Sequence, residues 1–395
     1  MDVLLTTMVF PWPSEAFVGV EVRALRAAGA GVRVRALRSS HPRAGELLRD
    51  WQLADLDLRS WSAASVAAGL AFAVRHPLMA ARTLAWLVAH GWRRPVLLAR
   101  CLLLVPRLFA IFAECQARPP DVVYLYWGHY PAVLGYMVKR WLPRVHVALS
   151  LNAYDLVYAF PPSRALAARA DSLWTITEAN LPAFAALGID PARVRVVLHG
   201  VDLAQVPAGT GPKDPARFVT VARLEENKGV DDVIRAFASV AASHPAATLA
   251  VVGEGPDRPR LEAIAREAGV AGRVEFTGGI GHTLVYAELA RASALVLLSR
   301  SPAERLPNAV KEAMACRCLC IVTQTPGIDF LLGGLRTPMI VPQGDRAAAA
   351  RWMDAVLREP GRFAGDREAA ATFAASRLDV RASARQRIAV WSGGT

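Results

Sequence analysis

Glu304 and Glu312 lie eight positions apart in the segment Glu304-Arg-Leu-Pro-Asn-Ala-Val-Lys-Glu312. A strand-like run over 294–299 precedes them. The spacing predicts a helix over 307–316. Pro307 suits its first position, where a missing N–H costs nothing, and Val310, Ala313 and Met314 recur at helical intervals. Glu304 then sits in the loop before the helix and Glu312 within its first turns. The unbonded N–H groups of a helix start attract an anion. Two hydroxyl-binding carboxylates beside such a start suit a ligand that carries both hydroxyls and phosphate.

Three other loops share this character. The run 218–222 leads into Arg223-Leu-Glu-Glu-Asn-Lys228-Gly229. An arginine fork and a lysine point charge beside a helix start can hold a diphosphate; taken alone, they read equally well as surface charges. Asp231 and Asp232 follow, where the positive end of a helix favours acids. Gly253-Glu-Gly-Pro-Asp257 and Thr277-Gly-Gly-Ile280 are glycine turns at strand ends. Glycine there lets a flat base approach the backbone, although either turn by itself could be a plain connection. The four signals follow one another on successive strand ends, which puts them on one rim of one sheet.

The elements that must position them alternate strand and helix. In the second half the pattern predicts strands at 218–222, 248–253, 274–277, 294–299, 318–323 and 339–341. Helices are predicted at 230–242, 258–268, 283–291, 307–316 and 347–358. Such a sheet is parallel and doubly wound, with ligands at the carboxyl ends of its strands. The first half begins strand (2–9), helix (18–28), strand (31–37) and resumes at 122–126, 131–141 and 145–151, with two short strands at 172–177 and 194–198. Between them, 61–115 is helix-like and rich in Ala, Leu and Trp. It carries Arg75, Arg82, Arg93, Arg94, Arg100 and Arg107, with no acid between Asp57 and Glu114. Pro77, Pro95 and Pro106 are expected to divide it into short helices. The joint between halves is read at 203–217, where Pro207, Gly209, Gly211, Pro212 and Pro215 cluster.

The 395 residues suffice for two ordinary domains. Composition is 53% hydrophobic and net charge +12, compatible with nucleic acid, membranes or phosphate-bearing ligands. No zinc-finger spacing, dense basic run or aromatic RNA-binding signature is present, so nucleic acid is not expected as a partner. Cys316, Cys318 and Cys320 alternate; without CxxC pairs or a nearby His they read as packed core thiols, not a metal site. The N-terminus reads as a first strand, not a signal peptide. No run of eighteen uncharged apolar residues occurs, so a spanning helix is not expected.

With those motifs in place, the chain resembles a family-four retaining glycosyltransferase of the exopolysaccharide-building type, with GT-B architecture. Arg223 to Gly229, Gly253-Glu-Gly-Pro256, Glu304 to Glu312 followed by Ala313-Met-Ala-Cys316, and His199-Gly-Val-Asp202 are similar to the family's signatures. Phe10-Pro-Trp-Pro-Ser-Glu-Ala-Phe17 is a looser match to its opening. The resemblance implies an α/β fold of two Rossmann-like doubly wound domains facing across a cleft, with the 61–115 insert in the first. Residues 1–203 would form the acceptor side and 204–372 the donor side, and a helix within 373–395 would pack back on the first domain.

By the same resemblance Glu304 contacts the transferred sugar as the catalytic residue. Arg223 and Lys228 grip the donor diphosphate, Glu312 holds the ribose, Asn308 lies against phosphate, Gly279 and Ile280 flank the base, and Arg305 adds charge beside the donor or narrows the sugar pocket. Acceptor-side candidates are Asn152, Asp155, His129, Ser14 and Glu15. The partners implied are a nucleotide-sugar donor and a glycan or lipid-linked acceptor, with no cofactor and no metal, since cations and a helix start meet the leaving charge and no acidic Asp-x-Asp cluster offers an obvious Mg²⁺ site. The implied setting is bacterial and cytoplasmic. Two readings of 61–115 stand: a helical cap on the first domain, or an interfacial anchor for an anionic membrane surface, which would make the protein peripheral on the inner face.

The sequence also departs from the family. Arg305 replaces a glycine, Arg317 and Leu319 disturb a tight turn, Asp329 shortens an acid, and Asn152 stands where a His is common. Asn can hydrogen-bond but cannot act as a base. A non-catalytic sugar-nucleotide-binding subunit, a transferase acting on a small natural product and a sugar-nucleotide epimerase remain as alternatives. A dinucleotide oxidoreductase lacks its glycine fingerprint over 8–17.

Overall fold

In the computed structural model, residues 1–207 and 213–393 are described; Gly209, Gly211 and Pro212 of the expected joint lie outside them. The chain divides into two units: Met1–Leu198 with Arg381–Thr395, and His199–Val380. The sequence reading placed these crossings at 203/204 and 372/373. Within the second unit the two crossing segments run side by side: Val201 N donates to Leu378 O at 2.6 Å and Val380 N to Val201 O at 3.1 Å. The helix Ala364–Arg377 therefore stays with the second unit, and Val380–Trp391 leads back to the first.

The first unit holds strands β1 (Asp2–Thr7), β2 (Gly31–Ala36), β3 (Asp57–Arg59), β4 (Val122–Leu125), β5 (His146–Ser150), β6 (Ser172–Thr175) and β7 (Val194–Val196). Their order is β3-β2-β1-β4-β5-β6-β7, and all pairings are parallel. The second unit holds β8 (Asp214–Val221), β9 (Thr248–Val252), β10 (Val274–Gly278), β11 (Ala292–Leu297), β12 (Leu319–Thr323) and β13 (Met339–Val341). Their order is β10-β9-β8-β11-β12-β13, again all parallel. Helices cover both faces of such a sheet, so central strands are buried apolar runs; β11, Ala-Ser-Ala-Leu-Val-Leu, is buried throughout. The strand order reverses between β1 and β4 and between β8 and β11, and ligands bind at such switch points.

Several expectations change. The edge strand β3 was not foreseen: at three residues, two of them charged, it shows no apolar run. Pro307 is the residue before the helix, with ψ 131°, and the helix begins at Asn308. Pro106 does not break its helix, which runs unbroken over Pro95–Ala117. There the helix Ala63–Arg75 presses so closely that a side chain at Gly69 would meet the Pro106 carbonyl oxygen at 1.7 Å. Pro95–Ala117, at 23 residues and with an 18-residue window of mean hydropathy 2.1, has the length and apolar character of a crossing helix, although Arg100 and Arg107 interrupt its apolar run. One side of it packs in the core through Leu108, Phe109, Phe112 and Cys115. All five cysteines are buried and unbridged, and burial pushes the Cys101, Cys115 and Cys316 thiols up to about 12.

The return of the C-terminal helix places Trp391 against Tyr124 and Trp174 and makes a buried ion pair that sequence patterning does not show. Arg387 Nε lies 3.1 Å from Glu21 Oε1, with the side chains 1% and 5% exposed. The hydroxyls of Tyr124 and Tyr126 donate to the two Glu21 oxygens at 3.1 and 3.0 Å. Breaking a buried pair from one side leaves a charge with no partner. Glu21→Ala is therefore expected to destabilise the first unit by about 3–5 kcal/mol, measured by denaturant unfolding. A loss below about 1 kcal/mol would show that water reaches the guanidinium.

Candidate functional site

The loops after β8 and β11 meet at the second switch point. Gly229 closes the first loop at φ 66°, and a side chain there would sit 1.9 Å from the Leu298 carbonyl oxygen. Only glycine permits so close an approach, and it is this approach that brings Lys228 to the Glu304 loop. Lys228 Nζ donates to Glu304 Oε2 at 2.7 Å, and Ser299 Oγ donates to the same oxygen at 3.0 Å. Arg300 N donates to Asn227 O at 2.8 Å, which ties the loops through their backbones.

Charge around the helix Val230–Ala241 is dense. Arg300 bridges Asp231 and Asp232, its Nε lying 3.3 Å from Asp232 Oδ2. Arg346 adds a contact to Asp232 at 3.6 Å. Burial first, with Asp231 adding to it and Arg300 opposing, raises the Asp232 carboxyl above the usual range. Arg300 belongs to this cluster, and sequence reasoning passed over it because it stands between the strand and the Glu304 motif with no spacing of its own to flag it. It lines a cavity with Glu225, Glu226 and Asn227.

Arg223 stands at the end of β8 but turns to its own loop: its Nη1 donates to Glu225 Oε1 at 2.7 Å, and its side chain is half exposed. The structure therefore joins Lys228, not Arg223, to Glu304. Arg305 curls over the same loop and donates to the carbonyls of Pro302 and Glu304 at 2.8 and 3.0 Å. Burial lowers its pKa against the pull of Glu304.

The helix Asn308–Ala315 presents Asn308 at its start and Glu312 one turn on. Glu312 Oε1 lies 3.0 Å from His282 Nε2, both side chains being largely buried. His282 opens the helix His282–Arg291 directly after the glycine turn at the end of β10. Sequence reasoning missed it, because its partner is thirty residues away and no local spacing flags the pair. At that turn Gly279 N donates to Glu254 Oε1 at 3.1 Å, joining the two glycine loops. Ile280 follows on the same turn. Lys311 faces the other way: its buried ammonium donates to His199 O at 2.6 Å and fixes the His199–Asp202 segment against the helix.

In the first unit, loops after β4 and β5 form a second cluster. Asp155 Oδ1 lies 2.6 Å from His129 Nδ1 and accepts from Gly128 N at 3.0 Å. Asp155 Oδ2 accepts from Asn152 N at 3.0 Å. Asn152 Nδ2 donates to Ser150 Oγ at 3.3 Å, while its buried Oδ1 has no partner. A buried acceptor left open is costly, and a substrate hydroxyl would satisfy it. Tyr130, Tyr154 and Phe160 ring His129 at centroid distances of 5.6, 5.6 and 5.8 Å. Ser14 and Glu15 lie on the turn Pro13–Glu15 beyond β1. The next helix places Phe17 against Trp127 at 6.2 Å, so this turn borders the loop that carries His129. Among the described residues no group of three His, Cys, Asp or Glu could hold a metal ion.

The loops after β8, β9, β10 and β11 fall inside a matched region: residues 205–375 match the family model described as glycosyl transferases group 1. Over 171 residues the chain is 32% identical to the glycogen synthase of Mycobacterium tuberculosis, covering 43% of this chain and 41% of that protein. Over 141 residues it is 36% identical to a 2-deoxystreptamine N-acetyl-D-glucosaminyltransferase of Streptomyces fradiae, covering 33% of this chain and 31% of that one. The chain thus spans less than half the length of these curated relatives. Anabaena HepE, solved in complex with UDP, superposes with a TM-score of 0.73 at 15% identity over 100% of both chains. The lipopolysaccharide outer core galactosyltransferase WaaB, in its apo form, gives 0.66 at 16% identity, also over 100% of both. The fold is GT-B, with two parallel α/β sheets.

Proposed function

We propose that this chain, with its group 1 glycosyl transferase domain at 205–375, is a retaining glycosyltransferase. It moves a hexose-type sugar from a nucleoside diphosphate to a hydroxyl of a glycan, carried on a lipid in surface or exopolysaccharide assembly. The observation that carries the reading is the convergence of Lys228, Glu304 and the Asn308 helix start on one switch point, with Glu312 on that same helix. A diphosphate seated at the helix start meets N–H groups and one ammonium; a ribose beside Glu312 and a sugar beside Glu304 each meet a carboxylate. UDP bound in HepE and UDP-glucose bound in another structure of that protein support the donor class.

In the reaction the bond from the anomeric carbon to the diphosphate oxygen breaks. The acceptor oxygen bonds to that carbon from the same face, and its proton passes to the departing diphosphate. Charge grows on the leaving group, and donors fixed before the event stabilise it. Lys228, Arg223 after release from Glu225, and the Asn308 start supply that charge, so the reading assigns no metal and no cofactor. On the acceptor side Asp155 orients the His129 ring, and the open Asn152 Oδ1 receives a hydroxyl. The relative acting on 2-deoxystreptamine supports a second acceptor class, a small aminocyclitol.

The test is transfer from a panel of sugar nucleotides in the presence of EDTA, with the product's anomeric configuration read by NMR. The expected result is a product with the donor's configuration at undiminished rate. An inverted product, or a rate that vanishes with the chelator, would overturn the mechanism; nucleotide binding without release of nucleoside diphosphate would favour the non-catalytic subunit.

A further inference from the structure

The three-helix lobe of the first unit, Ala63–Arg75, Pro77–Gly91 and Pro95–Ala117, leaves large apolar side chains in water. Val74 and Leu103 are each 79% exposed, Val96 67% and Trp92 60%. Exposed apolar side chains gathered on one lobe mark a contact surface. The charge among them has one sign: Arg75, Arg82, Arg93, Arg94 and Arg100 are exposed, and no acid occurs between Asp57 and Glu114. Arg107, the remaining basic side chain of the long helix, is buried and donates to Ala36 O and Arg59 O.

Geometry decides how such a lobe meets lipid. Ala63–Arg75 and Pro77–Gly91 bend by 107° at their junction. At 13 and 15 residues neither reaches the roughly 20 residues a crossing requires. Pro95–Ala117 has the length, but the side facing the sheet is filled by core contacts, so lipid cannot surround it. A basic, apolar surface that cannot span lies in the headgroup plane. The lobe also borders the acceptor-side cluster. Pro77–Gly91 packs on Pro161–Ala167, and the Arg100 guanidinium acts on the Tyr154 phenol, opposing the burial that raises it.

We propose that this lobe docks on an anionic lipid surface and so brings the His129, Asp155 and Asn152 cluster to the level where a lipid-linked acceptor is presented. The second half of this statement rests on the acceptor reading above; the first does not. Anionic lipid is favoured over a second copy of the chain because two such lobes repel each other: each is basic, and its one acid, Glu114, is paired with Arg33 and Arg35 at 3.1 and 2.5 Å.

The experiment is sedimentation of the full chain with vesicles of phosphatidylcholine, alone or mixed with phosphatidylglycerol, at low and high salt and without sugar donor. Binding is expected to the anionic vesicles alone and to weaken with salt. Arg93→Glu with Arg94→Glu is expected to reduce partitioning roughly tenfold or more. Val74→Glu with Leu103→Glu, at positions too exposed to disturb the core, is expected to do the same. Release of nucleoside diphosphate with a water-soluble acceptor should be unchanged in both variants. Wild-type protein that ignores anionic vesicles, or variants that bind as the wild type does, would overturn the proposal. So would a wild-type dimer that Val74→Glu with Leu103→Glu makes monomeric. Vesicle binding without any transfer would leave the docking surface standing and sink the transferase reading.

Discussion

Lys228→Met is expected to lower kcat about 10²–10³-fold while changing the KM for the sugar nucleotide little. The ammonium is 2.7 Å from Glu304, so on the proposed function it is already held where the diphosphate arrives. Its interaction with the ground-state diphosphate is offset by loosening from Glu304. Its interaction with the departing diphosphate is stronger, because charge accumulates there as the anomeric bond breaks. Removing one fixed donor aimed at developing charge has an effect of that size, and an interaction that strengthens only in the transition state shows in kcat. Lys228→Arg should restore only part of the rate, since a planar fork does not replace a compact point charge. Steady-state kinetics decide: a variant with unchanged kcat would make Lys228 a structural partner of Glu304 and nothing more.

Glu312→Ala should show the opposite split. Donor affinity is expected to fall about 10–10²-fold, since a hydrogen bond to a charged group contributes about 1.5–3 kcal/mol, while kcat changes little. The ribose hydroxyls lie away from the breaking bond, so their contact is equal in ground and transition states, and uniform binding shows in KM. His282, 3.0 Å from Glu312 Oε1, orients the carboxylate, so His282→Ala should weaken donor binding by a smaller factor and leave the fold intact. Titration calorimetry with a nucleoside diphosphate reads both. An affinity unchanged in Glu312→Ala would place the ribose elsewhere.

Loops after buried parallel strands are conspicuous because the central strands end in apolar runs, such as 249–252 and 294–297, and the charged residues begin where these stop. Arg223, Lys228, Glu304 and Glu312 were legible for that reason, and so was the doubly wound second unit. Contacts between distant segments were not. His282 reaches Glu312, Arg300 bridges the Asp231 pair, and Arg387 reaches Glu21 across most of the chain, yet none of these pairs leaves a periodic trace. Arg223 shows the converse. Its place in the loop is legible, but Glu225 two residues on takes its guanidinium at 2.7 Å, a choice of partner that no spacing shows.

Two local rules also failed for physical reasons. Proline was read as a divider at 106, but a helix held by core packing along one side survives the loss of a single hydrogen bond, and Pro106 lies within such a helix. Pro307 was read as the first helical residue, but its ψ of 131° is extended. That extension moves the helix start to Asn308 and places the polar side chain of Asn308, not the proline ring, at the edge of the anion-attracting end. The cluster after β4 and β5 was the least legible part. His129, Asp155 and Asn152 come from two loops and converge only because β4 and β5 are neighbours in the sheet.

A crystal structure of the second unit's site with a bound uridine or guanosine diphosphate tests the central claim most directly. The account predicts the diphosphate at the start of the Asn308–Ala315 helix within hydrogen-bond reach of Lys228, and the ribose hydroxyls on Glu312. A nucleotide bound away from the β8 and β11 loops, with Lys228 still paired to Glu304 and no contact to Glu312, would contradict it.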